Sequence, residues 1–251
     1  MLKIWDPTNF RRSLGGLCLI LAPILFAIAE ITYPASNGTG AAQLDIAARN
    51  HDVMLADIYF EIASAILFIP AVFALLHVTR RRGVVLGHVA AILTLAGVCL
   101  AHLALAGLQL MLWAMADPGV DRKAMAAFID KTMQNPAGLP LVLGHELFAV
   151  GVIVFGIAVW RSGFGYRWAG PAIAVGVVID IVGGTIGLPD TLISVVSDAV
   201  FVTGLAAVGL RVLLTSDADW EAGRLTVQSE TVPVMSVSAR CESVAAPPSP
   251  G

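Results

Sequence analysis

The chain has 251 residues, of which 57% are hydrophobic and 13% charged, with a mean hydropathy of +0.83 and a formal net charge of −3. This composition is far too apolar for a soluble globular domain. It predicts an integral membrane protein whose partner is the lipid bilayer, with no nucleic-acid partner.

Six apolar stretches are long enough to cross a bilayer, because a helix needs about 20 apolar residues to span about 30 Å of hydrocarbon. We therefore expect an all-α, polytopic six-transmembrane-helix bundle within residues 1–214. The predicted spans are Leu14–Ile31, Met54–Val78, Val84–Met115, Leu141–Trp160, Trp168–Gly187 and Leu192–Leu214.

The basic residues predict the orientation of the bundle, since short loops rich in Lys and Arg stay in the cytoplasm. Eleven of the 15 Lys and Arg residues flank the spans on one side, so we expect both termini to be cytoplasmic and residues 1–31 to be an uncleaved first helix. These residues are Lys3, Arg11, Arg12, Arg80, Arg81, Arg82, Arg161, Arg167, Arg211, Arg224 and Arg240.

The first two outer loops each carry apolar residues at helical spacing. Leu44, Ala47, Ala48 and His51 recur in the first loop. In the second loop Asp121 is placed as an N-cap, Asn135-Pro136 as a stop, and the apolar residues between them are Met125, Phe128, Ile129 and Met133. We expect two short amphipathic outer helices, which lie in the interface or cover a cavity.

The chain changes character after the last span. From Thr215 it becomes acidic and then rich in Ser, Val and Pro, which predicts a disordered cytoplasmic tail over residues 215–251. The cysteines are Cys18, Cys99 and Cys241, and their positions give no disulfide framework.

Nine polar side chains lie inside the predicted spans and are the candidate site for ligand binding or proton handling. An ionisable group in a bilayer is costly unless it faces a partner or a water-filled cavity, so each is a functional hypothesis. Counting 1.5 Å per residue from the cytoplasmic ends places them in the outer half of the bilayer. They are Glu30, Asp57, Glu61, His102, Gln109, His145, Glu146, Asp180 and Asp198.

Helical spacing also indicates which faces these groups share. Asp57, Glu61 and Ser64 lie on one face of the second span. Asp180 shares a stripe with Gly176, Gly183, Gly184 and Gly187, which would let another helix approach closely.

A binding or translocation site is the first hypothesis, because carboxylates and histidines in a cavity can carry protons or hold a polar or cationic ligand. Transporters often have broken helices, and Pro23 and Pro70 could break spans one and two near mid-membrane.

An intramembrane enzyme is the alternative. His102 and His145 are candidate metal ligands that, with the nearby acids, offer the groups zinc or iron prefers, for a metal-dependent hydrolase. A metal-free version is acid catalysis on a lipid or isoprenoid by a buried carboxyl group.

A b-type haem protein is the third hypothesis. His88 and His102 are 14 residues apart on one helix, a spacing that resembles quinol-oxidising cytochromes b. His77 and His145 would then supply the second axial ligands.

The sequence also resembles uncharacterised six-span integral membrane proteins of actinobacteria, over roughly residues 12–214. The resemblance implies a bacterial plasma membrane and carries no catalytic residues. Its features are Leu21-Ala22-Pro23-Ile24-Leu25-Phe26 leading to Glu30, Arg80-Arg81-Arg82, Leu112-Trp113-Ala114-Met115, and Gly144-His145.

Overall fold

Ten α-helices and one π-helical segment make up the chain in the computed structural model, which describes residues 6–33, 38–133, 136, 139–186 and 190–223. The helices are α1 Pro7–Thr32, α2 Gly40–Arg49, α3 His51–Thr79, α4 Val84–Gly97, α5 Leu103–Met115, α6 Arg122–Met133, α7 Leu139–Ser162, α8 Ala169–Thr185, α9 Asp190–Leu214 and α10 Asp217–Ala222. The π-helical segment Val98–His102 joins α4 to α5 without a break.

Five helices among the described residues are long and apolar enough to cross a membrane, and they fit a polytopic membrane bundle. They are Pro7–Thr32, His51–Thr79, Val84–Met115, Leu139–Ser162 and Thr191–Leu214. The helix at the fifth predicted span is shorter, with its apolar part over Ala169–Gly183.

The long helices form a closed ring. α1 packs against α3 and α9, α3 against α4 and α5, α4 against α7, and α8 between α7 and α9. The prediction that proline would break spans one and two is wrong, because α1 and α3 continue through Pro23 and Pro70. The irregularity lies in the third span instead, at Val98–His102.

One end of the ring, which we call the arginine end, carries α10 and most of the described Lys and Arg residues. The others, Arg49, Arg122, Lys123 and Lys131, lie in α2 and α6. Arg12 pairs with Asp217 of α10 at 2.7 Å and donates to the carbonyl of Leu213 at 2.6 Å. The predicted disordered tail is therefore wrong for residues 217–222, which form a helix capped by Ser216 and ended by Gly223 at φ 58°. The rest of that prediction, residues 224–251, lies outside the described residues.

Two short helices lie at the opposite end, as the sequence predicted. The Asp130 carboxylate of α6 accepts from the Gly40 amide at the start of α2, at 2.6 Å. Asp121 caps α6 by accepting from the amides of Lys123 and Ala124. One detail was wrong: His51 begins α3 rather than closing α2. Of the predicted apolar face of α6, Ile129 is buried and Phe128 is exposed.

These two helices and the ends of α3 and α5 share a small apolar core. The helices thus rest on α3 and α5 rather than on the centre of the ring. The buried members of this core are Leu44, Ala47, Met54, Ile58, Leu112, Ala116 and Ile129.

Candidate functional site

A cavity of about 470 Å³ opens inside the ring, in the half away from the arginine end. Glu30 lies two residues before the end of α1, and Ser194 lies four residues after the start of α9. The cavity is lined by the last turns of α1 and α8 and by the first turns of α7 and α9. The π segment and α5 supply the remaining wall.

Six of the nine predicted polar residues line this cavity: Glu30, His102, His145, Glu146, Asp180 and Asp198. Four of the six carry a carboxyl group and two carry an imidazole. Among the described residues that line the cavity there is no Lys or Arg. The remaining walls are mainly apolar, with the hydroxyl groups of Ser194 and Ser197 on the α9 side.

Glycines set the close helix contacts that shape the cavity, since small residues let membrane helices approach closely. A Cβ on Gly97 would lie 2.5 Å from the backbone nitrogen of Phe148, and one on Gly144 would lie 2.6 Å from that of Ala101. Gly176 of α8 meets Phe201 of α9 in the same way. The predicted close approach along the Asp180 stripe is thus confirmed for Gly176.

A buried pair, Glu61 and His102, stands behind one wall. The His102 Nδ1 lies 2.7 Å from a carboxylate oxygen of Glu61, and both side chains are almost fully buried. A carboxylate only accepts, so an ionised Glu61 accepts a hydrogen bond from the Nδ1–H of His102, and a neutral ring then carries its lone pair on Nε2. That Nε2 has no hydrogen-bond partner among the described residues, although His102 lines the cavity.

The π-helical segment ends at His102. A π segment adds one residue to a helical turn and is frequently found at functional sites. In this protein the residues before the π segment and those after it face different helices. Thr94 and Gly97 of α4 lie against α7, while Gln109 of α5 lies against the Asp57 side of α3.

Aromatic rings enclose the imidazole. His102 meets Phe148 edge to face at 4.5 Å and Phe26 at 5.1 Å, and it stacks with Phe68 at 6.3 Å. Phe26 also contacts Phe201 at 6.5 Å. The surroundings of the Glu61–His102 pair are therefore apolar except on the cavity side.

Asp57 and Gln109 lie outside the cavity lining, nearer the α2 and α6 end of α3. Asp57 is fully buried, with the Thr32 hydroxyl 3.5 Å from its carboxylate and the Gln109 side chain facing it. One oxygen each of Asp57 and Gln109 has no hydrogen-bond partner among the described residues. Asp57 is one helical turn from Glu61, so the polar groups form a line from this end of α3 to the cavity.

The carboxyl groups influence each other through the apolar interior. The Glu30 carboxyl group is close enough to those of Asp198, Glu61 and Asp180 for their charges to interact. The carboxyl groups of Asp198 and Asp180 interact in the same way. Charges at short range interact strongly where water is scarce. Glu30, Asp180 and Asp198 are therefore close enough for a charge on one to oppose a charge on the others.

The metal hypothesis stays a prediction. His102 and His145 line the same cavity, yet the described part of the chain contains no group of three His, Cys, Asp or Glu residues placed to hold a metal ion.

The haem hypothesis stays a prediction. His102 and His145, one of its two axial pairs, line the same cavity. In the other pair, His77 stacks on Trp220 at 3.9 Å with its Nε2 2.9 Å from the Trp220 carbonyl, and His88 is exposed with its Nδ1 2.8 Å from the Val84 carbonyl. Both rings of that second pair therefore have other hydrogen-bond partners.

Sequence reasoning missed the aromatic enclosure and Ser197. Their common signal is spacing relative to the polar residues: Phe148 follows His145 by three, and Phe201 follows Asp198 by three, so each lies on the same helical face as the acid or imidazole.

In comparisons with known proteins, no family model, no curated protein and no solved structure matches this chain.

Proposed function

We propose that this protein is a six-span plasma-membrane protein of a bacterium whose cavity binds a small organic cation in exchange for protons. α8 supplies the sixth span in this proposal, since its 17 residues cover about 25 Å, close to the hydrocarbon thickness. Both termini are then cytoplasmic and the cavity opens toward the outer leaflet, because the basic residues gather at the other end.

The observation that supports the proposal is the acidic character of the cavity lining. Four carboxyl groups share a cavity in which the described lining residues supply no Lys or Arg. Asp198 is buried and Asp180 half-buried beside it, while Glu30 and Glu146 are exposed at the cavity. Like charges repel strongly where water is scarce, so a counter-charge stabilises this group of acids. Protons or a bound cation supply that counter-charge, so a cation that enters displaces protons.

The walls indicate what kind of cation fits. Phe26, Phe148 and Phe201 line the cavity beside the acids. Aromatic faces attract cations, most strongly where water is excluded. The cavity volume is also in the range of small-molecule sites. An organic ammonium or phosphonium ion with apolar substituents matches both the charge and the walls.

The Glu61–His102 pair supplies the proton exchange. His102 borders the cavity, and Glu61 can compensate the charge of its protonated ring. Protons released by the cavity acids can then move to His102, and onward along α3 to Asp57.

Binding of tetraphenylphosphonium and the smaller tetrapropylammonium to detergent-purified protein tests the proposal. We expect saturable binding of at least one cation and no binding of tetraphenylborate, which has the shape of tetraphenylphosphonium and the opposite charge. Cation addition in weak buffer should release protons, seen with a pH indicator. Failure of both cations to bind, or equal binding of the borate, would overturn the proposal.

Matched variants locate the binding. Asp198→Asn should weaken cation affinity about tenfold, equivalent to about 1.4 kcal/mol. Asp52→Asn should leave it unchanged, since Asp52 is exposed in the first turn of α3 and does not line the cavity. Equal losses in the two variants would place the binding elsewhere.

An intramembrane enzyme is the second candidate, and the Glu61–His102 pair favours it. His102 lines the cavity, is oriented by a carboxylate, and has a second nitrogen without a hydrogen-bond partner among the described residues, which is the arrangement of a general base. Lipid-soluble compounds are incubated with the protein, recovered and analysed by mass spectrometry, which distinguishes binding or transport from catalysis. Unchanged ligand indicates binding or transport, and conversion that requires His102 indicates catalysis.

A further inference from the structure

A second cavity lies at the arginine end, along the contact between α1 and α3, and has a volume of about 650 Å³. It is separate from the acidic cavity, with which it shares no lining residue. Its lining has a polar part and an apolar part.

The polar part is predominantly basic. Arg11 of α1 and Arg80 at the end of α3 line it, together with His77. Glu221 contributes one carboxylate, which is engaged by the Thr8 hydroxyl. Two guanidinium groups therefore face one carboxylate that already has a partner, and the described contact of Arg11 uses only its Nε, toward the Pro7 carbonyl at 3.1 Å.

The apolar part continues toward the middle of the bundle. Leu14, Pro70 and Phe73 line it, and Phe73 is 57% exposed. Its floor is tight, because a Cβ on Gly15 would lie 2.7 Å from the Cβ of Ala74. The floor is thus a shallow apolar channel that runs along the helices from the basic part.

The short helix α10 forms the remaining wall. Trp220 stacks on His77, and Arg80 donates to the carbonyls of Trp220 and Glu221. These contacts fix α10 against the end of α3, so the basic part of the cavity is a built site rather than a loose collection of exposed arginines.

We propose that this groove binds one anionic glycerophospholipid, with its phosphate between Arg11 and Arg80 and an acyl chain over Pro70 and Phe73. A phosphodiester needs positive donors at the level of the headgroups, and its acyl chain needs an apolar surface directly inward of them. The groove presents both in that order along the helix axis. This inference does not depend on what the acidic cavity binds.

Native mass spectrometry of the detergent-purified full chain, titrated with defined lipids, tests the assignment. We expect phosphatidylglycerol to form a one-to-one complex at concentrations where phosphatidylcholine of the same chains does not. Glycerophosphoglycerol, the same headgroup without acyl chains, should bind at least tenfold more weakly. If it binds as well as the lipid, the site is for a water-soluble phosphate compound and the lipid assignment is wrong.

Variants separate this groove from general attraction to a basic surface. Arg11→Gln should reduce phosphatidylglycerol binding at least threefold, while Arg82→Gln, an exposed arginine outside the groove, should not. Phe73→Ala tests the acyl-chain channel at an exposed position and should also weaken the complex. Equal binding by Arg11→Gln and Arg82→Gln, or no effect of Phe73→Ala, would overturn the proposal.

Discussion

Glu61 and His102 are a charged or chargeable pair in apolar surroundings, and stability alone does not account for them. The free energy needed to desolvate two such groups offsets most of their attraction, so apolar residues of similar size often give a protein that is equally or more stable. Three phenylalanine rings surround this pair, and its free nitrogen belongs to a residue that lines the cavity. A role in proton transfer would explain why this pair occupies a buried position.

The cost of removing one partner tests this view. Glu61→Ala should lower the free energy of unfolding by about 1–3 kcal/mol, because it leaves the buried Nδ1 of His102 without a partner. Equilibrium unfolding in mixed detergent, followed by circular dichroism, measures the change.

The double variant Glu61→Leu/His102→Phe is the control for that experiment. It should recover most of the lost stability, because no buried polar group is left unpaired, and it should abolish proton release on cation binding. A double variant less stable than Glu61→Ala would show that the pair is mainly structural.

At the level of elements, close contact between α4 and α7 holds His102 beside Phe148. Gly97 and Gly151 make this contact, where a Cβ would lie 2.5 Å from the backbone nitrogen of Phe148 and 2.6 Å from that of Thr94. Backbone atoms cannot move aside as the end of a flexible side chain can. The π segment begins directly after Gly97, so this contact and the irregular turn are parts of one arrangement.

Replacing Gly97 by Ala should force α4 and α7 apart and destabilise the protein by about 1–3 kcal/mol, the usual cost of overpacking. Gly107→Ala is the matched control in the same span, since a Cβ there meets nothing within 4 Å. Thermal unfolding of the two purified variants gives the comparison. If both lose the same stability, helix separation is not the cause.

The sequence predicted the elements better than the contacts between them. The length of the apolar stretches predicted the long helices, and Asp121 as an N-cap predicted where α6 begins. Counting residues gave the depth of Glu61 and His102 but not their pairing, because depth does not say which helices are neighbours. The π turn has no residue signature. The α10 signals, Ser216 as cap with Asp219 at the third position, lie in a polar segment whose composition indicates disorder.

For the whole molecule, the two ends of the bundle differ in character. The arginine end carries α10 and a basic groove, and the other end carries α2, α6 and the acidic cavity. Under the positive-inside rule this difference predicts the direction of the protein in the membrane, and with it the compartment that supplies the proposed ligand of each cavity.

Cysteine labelling in intact cells checks that direction, after the native Cys18, Cys99 and Cys241 are replaced by serine. A cysteine at Thr39 or Ala124, both exposed, should react with a membrane-impermeant maleimide added outside. One at Arg82 should react only after the membrane is permeabilised. The opposite pattern would place the acidic cavity toward the cytoplasm and require the proposed ligand to come from there.

The closed ring of helices has a consequence for the assembly of the protein during synthesis. α1 leaves the ribosome well before α9, yet one of its faces packs on α9, where Gly16 and Gly209 bring the two backbones together. Until α9 arrives, the face of α1 at Gly16 has no neighbour, and the cavity wall that carries Asp198 is missing. Glu30 then lacks the α9 wall of its cavity, so a chain that stalls before α9 exposes this acid to lipid, where cellular quality control can recognise it.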